Sequence, residues 1–110
     1  MVLIVDDNPD DRALFAAALE PLNVRVVEAA SAEQALAMHE AQQWAVIVVD
    51  ANLPGLSGSD LIKRLRTPAV LLSAMDEQEL RRQAADCGAD WMQKRGDINA
   101  MRTTVARLLR

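Results

Sequence analysis

Asp6 and Asp7 close the run Val2-Leu3-Ile4-Val5, and Asp50 closes Val46-Ile47-Val48-Val49. Two weaker runs end in other polar groups, Val70-Leu71-Leu72 in Ser73 and Trp91-Met92-Gln93 in Lys94. Short, continuous apolar runs read as strands buried on both faces, the kind that parallel sheets contain. Parallel strands share a direction, so these polar residues are expected along one sheet edge, where open α/β sheets carry their sites. Carboxylates crowded there repel one another and take up protons unless a cation relieves them. With so few protein ligands, an octahedral Mg²⁺ that keeps waters and binds a phosphate oxygen fits better than Ca²⁺, which wants more oxygens. Lys94 adds positive charge and Ser73 a hydroxyl donor. The set describes a site gathered around an incoming phosphoryl group.

The elements that must position these residues alternate along the chain. After the first strand, Asn8 is placed to cap a helix with Pro9 at its first position. Asp10 and Asp11 follow where the helix dipole favours negative charge. Leu14, Phe15, Ala18 and Leu19 then recur at helical spacing. A weaker strand is expected over Val24-Arg25-Val26-Val27. Ser31 and Gln34 form a capping box for a second helix with Ala32, Ala35 and Leu36 inward. Asn52 to Gly58 is a loop of turn formers, and Ser57 is placed to cap a third helix through Leu65, broken by Thr67-Pro68. Asp76 and Glu79 repeat the capping-box pattern for a fourth helix that ends at Cys87-Gly88. A short strand over Trp91 to Gln93 precedes a last helix from Ile98 to Arg110, with Met101, Val105 and Leu108 or Leu109 inward. Five strands alternating with five helices predict a single doubly wound α/β domain, a parallel sheet with helices on both faces and right-handed crossovers.

Bulk properties narrow the function. The chain has 110 residues, a net charge of -4 and a single cysteine, Cys87. One domain, residues 1–110, is expected. The acidic balance argues against direct nucleic-acid binding. One thiol cannot form an internal disulfide and suits a reducing, cytoplasmic setting. No apolar run reaches a membrane span and no charged leader precedes one, so neither a membrane segment nor a signal peptide is expected.

The ordered set of Asp6-Asp7, Asp50 with Pro54 and Gly58 behind it, Ser73-Ala74 and Lys94 resembles the receiver domain of two-component response regulators over essentially the whole chain. The resemblance implies a flavodoxin-like sheet in the order 2-1-3-4-5. It implies that Asp50 is the phosphoacceptor, and that Asp7 and Asp50 ligate Mg²⁺ directly with the backbone carbonyl of Asn52, Asp6 acting mostly through water. It further implies that Ser73 donates to one phosphoryl oxygen, that Lys94 pairs with another, and that Ser73 and Trp91 act as a switch, although Trp91 by itself reads first as a partly buried packing residue. The implied partners are a histidine kinase or phosphotransfer protein upstream, an effector downstream, and a second copy of the chain when phosphorylated. Two departures stand out: Arg95 occupies the position where the family usually carries proline, and the segment from Gly88 to Lys94 is one residue short.

Other residues read as structural. Asp10 and Asp11 are expected to be surface acids, His39 a packed or edge histidine, and Arg81, Arg82, Arg102 and Arg107 solvated helix faces or part of a partner surface. A non-phosphorylated docking or dimerisation module is the alternative from another class, and Mg²⁺-dependent modification of Asp50 discriminates the two. A phosphatase with an aspartyl nucleophile would usually carry a second acid at position 52, where Asn52 cannot donate a proton. A flavin-binding flavodoxin would need a phosphate-cradling loop where Asp7-Asn8-Pro9-Asp10-Asp11 repels phosphate.

Overall fold

The structure, a computed structural model, describes residues 1–94 and 97–110. Arg95, the departure noted above, lies outside the described residues. Among those described, β1 (Val2–Val5), β2 (Val26–Ala29), β3 (Val46–Asp50), β4 (Ala69–Ser73) and β5 (Asp90–Gln93) form one sheet in the order β2-β1-β3-β4-β5. Every neighbouring pair is parallel. The helices are α1 (Pro9–Leu19), α2 (Ala32–Ala41), α3 (Gly58–Leu65), α4 (Glu77–Cys87) and α5 (Ile98–Leu108). This is the expected doubly wound, flavodoxin-like topology.

Alternation along each strand divides the core into two layers. Leu3, Val5, Ile47, Val49 and Leu71 face α2, α3 and α4 and pack with Ala32, Ala35, Leu61, Leu65, Leu80 and Ala84. Val2, Ile4, Val46, Val48, Val70 and Leu72 face α1 and α5 and pack with Phe15, Leu19, Met101 and Val105. Both faces of β1, β3 and β4 are therefore dry, which is why those strands read as unbroken apolar runs.

Four local expectations need correction. β2 begins at Val26, two residues later than expected, because its register with β1 pairs Val2 with Val26 while Arg25 only accepts a lead-in bond from the Val2 amide. A 3₁₀ turn over Glu20–Leu22, closed by Asn23 in the left-handed region, takes up the intervening chain. Leu14 is 54% exposed, whereas Phe15, Ala18 and Leu19 are buried. One residue rotates about 100° around a helix, so the inward stripe centred on Phe15 leaves Leu14 to the side. At α4, Asp76 makes no side-chain cap bond, and Glu79 is instead held by Arg82 and Gln83. At α2 the Ser31 hydroxyl does accept from the Gln34 amide at 3.1 Å, but the Gln34 side chain reaches back to Ala30 rather than to Ser31. Gly88 caps α4 at φ +71, a left-handed conformation that glycine adopts without strain.

Candidate functional site

Register brings the acids together. Val5 pairs with Val49 across β1 and β3, so the residues that follow, Asp6 and Asp50, leave the sheet side by side. Asp6 and Asp50 are buried and Asp7 is exposed, yet one carboxylate oxygen from each lies within 4.8 Å of the others. Asp50 pairs with Leu72 on β4, and Ser73 pairs with Gln93 on β5, which sets Ser73 and Lys94 along the same edge. The Lys94 amide donates to the Ser73 carbonyl at 2.9 Å and continues that pairing one residue beyond β5.

Local hydrogen bonds hold each acid in place. The Asn8 amide donates to Asp6 Oδ1 at 2.9 Å, while the Asn8 side chain accepts from the Asp10 and Asp11 amides and starts α1 as anticipated. Arg12 on the same helix donates to the Asp6 carbonyl at 2.7 Å and pairs with Glu28 of β2 at 3.3 Å. The Asn52 amide donates to Asp50 Oδ1 at 3.0 Å. Gly58 opens α3 directly beneath this loop. A Cβ there would stand 2.3 Å from the Asp50 carbonyl oxygen and 2.9 Å from Ala51 Cα, so only glycine fits.

Lys94 is the counter-ion. Its Nζ lies 2.9 Å from Asp6 Oδ2, 2.9 Å from Asp11 Oδ2 and 3.2 Å from Asp50 Oδ2. The Asp11 and Asp50 contacts are hydrogen bonds. The Asp6 contact is an ion pair only, because Asp6 Oδ2 is buried and takes no hydrogen bond. Burial pushes the Asp6 carboxyl above its ordinary range; the Asn8 amide and Lys94 pull it down, and the Asp50 charge adds to the rise. Burial alone would lower the Lys94 ammonium, but Asp11, Asp6 and Asp50 outweigh it and raise Lys94 above its ordinary value.

Ser73 is fully buried, and its Oγ accepts from the Asn52 side chain at 3.1 Å and from the Met75 amide at 3.0 Å. With both lone pairs occupied, its own proton remains to be donated. Asn52 thus spans the site, its amide on Asp50 and its side chain on Ser73. Trp91 pairs with Leu71 across β4 and β5 and is half-buried on the α4 side of the sheet. The Arg81 guanidinium stands over its ring, 5.7 Å from the centroid.

The donor set fits a small hard cation. Three carboxylate oxygens converge, and among the described residues the buried Asp6 Oδ2 has only the Lys94 charge to offset it. All the donors are oxygens, as Mg²⁺ requires. A cleft of about 600 Å³ is at the other end of the sheet, between the C-terminal ends of α2 and α3. It gathers no such cluster, so the chemistry follows the carboxylates and not the volume.

The sequence reading missed one participant. Asp11 is at the third position of α1, one turn beyond Asp7, and was read as a surface acid. It is instead a hydrogen-bond partner of Lys94. The signal was available: the Asn8 cap places the first turn of α1 against the end of β1, and Asp11 lies on that turn.

Comparison with known proteins bears on the family and the fold. The family model of the response regulator receiver domain matches residues 2–106. The phosphate regulon transcriptional regulatory protein PhoB of Pseudomonas aeruginosa is 34% identical over 96 residues, covering 81% of this chain and 42% of that protein. A gliding motility regulatory protein of Myxococcus xanthus is 33% identical over 104 residues, covering 88% of this chain but 13% of its relative. The chain therefore spans less than half the length of either curated relative. The crystal structure of the receiver domain of NtrX from Brucella abortus superposes with a TM-score of 0.90 at 26% identity, covering 99% of this chain and 98% of that one.

Proposed function

We propose that Asp50 is the phosphoacceptor of this chain, which belongs to the family of response regulator receiver domains. Members of that family take up a phosphoryl group in two-component signalling, and that is the role of this domain. The observation that carries the residue assignment is Asp50 itself: a nearly buried carboxylate whose Oδ1 is held by the Asn52 amide and whose Oδ2 is held by Lys94, beside Asp6 and Asp7.

An Asp50 carboxylate oxygen attacks phosphorus. The new O–P bond forms as the bond from phosphorus to the donor breaks, and the electron pair leaves with the donor, a phosphohistidine or a small acyl phosphate. The transition state spreads charge over the equatorial oxygens, so the protein contributes position and electrostatics rather than covalent chemistry. Lys94 and the Ser73 hydroxyl supply donors to two of those oxygens. Asp6, Asp7, Asp50 and the Asn52 carbonyl would hold Mg²⁺. When bound, Mg²⁺ supplies the positive charge that offsets the repulsion between the acidic cluster and an incoming phosphoryl group.

Once phosphorylated, Asp50 presents an anion where Lys94 previously faced a carboxylate. Ser73 then donates toward it, and the β4–α4 loop follows because Ser73 also holds the Met75 amide. Trp91 packs on the same side as α4 and responds through that contact. The switch biases two existing arrangements. Upstream, the partner is a histidine kinase or phosphotransfer protein; downstream it is an effector, or a second phosphorylated copy of the chain. The described residues include no helix long and apolar enough to cross a membrane, and a cytoplasmic setting matches the reading.

Incubation with Mg²⁺ and a small phosphodonor, followed by intact-mass analysis, tests the assignment. One added phosphoryl group is expected on the wild type and none on Asp50→Ala. An unmodified wild type at saturating donor would overturn it.

A further inference from the structure

We propose that Asp11 is a positioning residue of the phosphoacceptor site: from the first turn of α1 it holds the Lys94 ammonium at 2.9 Å and draws it away from a phosphoryl oxygen on Asp50. This rests on the reading of Asp50 as phosphoacceptor.

The geometry makes Asp11 different in kind from the other acids. Asp6, Asp7 and Asp50 converge on one point where their oxygens share a cation. Asp11 is not part of that group of ligand atoms, and its carboxylate accepts from Lys94. Its side chain is 31% exposed, against 2% for Asp6 and 6% for Asp50, so with the exposed Asp7 it stands at the rim of the site. Its place is set by the backbone, since Asn8 Oδ1 accepts from the Asp11 amide at 3.4 Å and fixes the turn that carries it. Asp10, its neighbour, is exposed on the same turn and bears the same charge, but no bond joins it to Lys94.

Lys94 has three acidic partners and one ammonium. Its three N–H groups can serve Asp11 and a phosphoryl group on Asp50 together, but each acid pulls the ammonium toward itself, and Asp11 pulls it toward the rim. Asp11 therefore opposes the phosphorylated arrangement and adds negative charge at the entrance, which disfavours small anionic donors relative to a protein donor that brings its own basic surface. Removing the Asp11 carboxylate frees Lys94 without touching the cation-binding oxygens.

Trifluoroberyllate becomes tetrahedral when an Asp50 oxygen supplies the fourth ligand to beryllium, so it fills the phosphoryl position with no phosphoryl transfer and isolates the effect. Its affinity is measured in saturating Mg²⁺ by the fluorescence of Trp91 and Trp44, for wild type, Asp11→Asn, Asp11→Ala and Asp10→Asn. Both Asp11 variants are expected to bind about fivefold tighter, the equivalent of one partly exposed ion pair released. Asp10→Asn is expected to change affinity by less than about twofold, because an exposed charge at that distance is screened. Unchanged affinity in the Asp11 variants, or an equal gain in Asp10→Asn, would overturn the positioning role and leave the Asp50 assignment standing. A wild type that binds no trifluoroberyllate would overturn both.

Discussion

Replacing Asp6 with asparagine is expected to stabilise the metal-free protein. The Asp6 carboxylate stands within 4.8 Å of oxygens on Asp7 and Asp50 and 2.9 Å from the Lys94 ammonium. Each repulsion is then worth at least about 0.9 kcal/mol in a water-like dielectric and about 3.5 kcal/mol at an effective constant of 20. The single attraction is worth about 1.4 to 5.7 kcal/mol over the same range. Two repulsions outweigh one attraction by about 0.3 to 1.2 kcal/mol, a near balance. Burial decides the sign, because Asp6 is 1% exposed and desolvation acts in the same direction as the repulsion. Asparagine keeps the oxygen that accepts from the Asn8 amide; its amide nitrogen then faces Lys94 donor to donor, so Lys94 shifts toward Asp11 and Asp50, which it keeps.

A gain of about 1 kcal/mol or more is therefore expected at pH 7 in chelator, read from urea unfolding followed by circular dichroism. The pH dependence checks the cause. A carboxyl whose folded-state pKa is raised contributes its stability in full below its ordinary value of 3.8 and loses it as pH rises through the folded-state value. The variant has no such loss, so the gap between the two proteins opens as pH rises from 3.8 through the folded-state value and closes in acid. Mg²⁺ should reverse the ranking, since a ligand at a hundred times its Kd adds about 2.7 kcal/mol to the form that binds it. A variant less stable than wild type in chelator at pH 7, or a gap that widens in acid, would refute the reasoning.

Gly58→Ala drives a Cβ into backbone on two sides, at Asp50 and Ala51. The expected cost is about 1–3 kcal/mol in thermal unfolding. Because the displaced atoms carry Asp50, phosphorylation by a small donor should also slow by about tenfold or more; unchanged stability and rate would show that the loop yields freely. Ser73→Ala leaves the Asn52 side chain and the Met75 amide without their buried acceptor. About 1–3 kcal/mol of stability should be lost, while Mg²⁺ affinity by calorimetry should stay within about twofold because Ser73 is outside the carboxylate cluster; a large drop in affinity would contradict the separation of the two subsites.

The strands were legible because burial on both faces requires every residue to be apolar, and that leaves an unbroken signal in β1, β3 and β4. β2 at the sheet edge, only partly buried, carried a weaker signal and was placed two residues early. Caps formed by Asn8, Ser31 and Ser57 were legible because each depends on residues within one turn. The capping box expected of Asp76 and Glu79 did not form: Asp76 makes no side-chain cap bond, and the Glu79 carboxylate is taken by Arg82 and Gln83.

Local order along the chain thus determined that this is a doubly wound sheet and that Asp6, Asp7, Asp50, Ser73 and Lys94 would share an edge, since strand polarity alone carries that information. Tertiary structure decided which of these groups touch. Lys94 could have reached for solvent; its pairing with Asp11, 83 positions away, exists only because α1 and the end of β5 meet above the same edge. The division of labour among the acids is likewise a matter of packing, since Asp6 and Asp7 are adjacent in the chain, yet one is buried and the other exposed. Charge and hydroxyl are properties of residues, but distance and desolvation, which turn them into a site, arise only when separate strands and helices close around them.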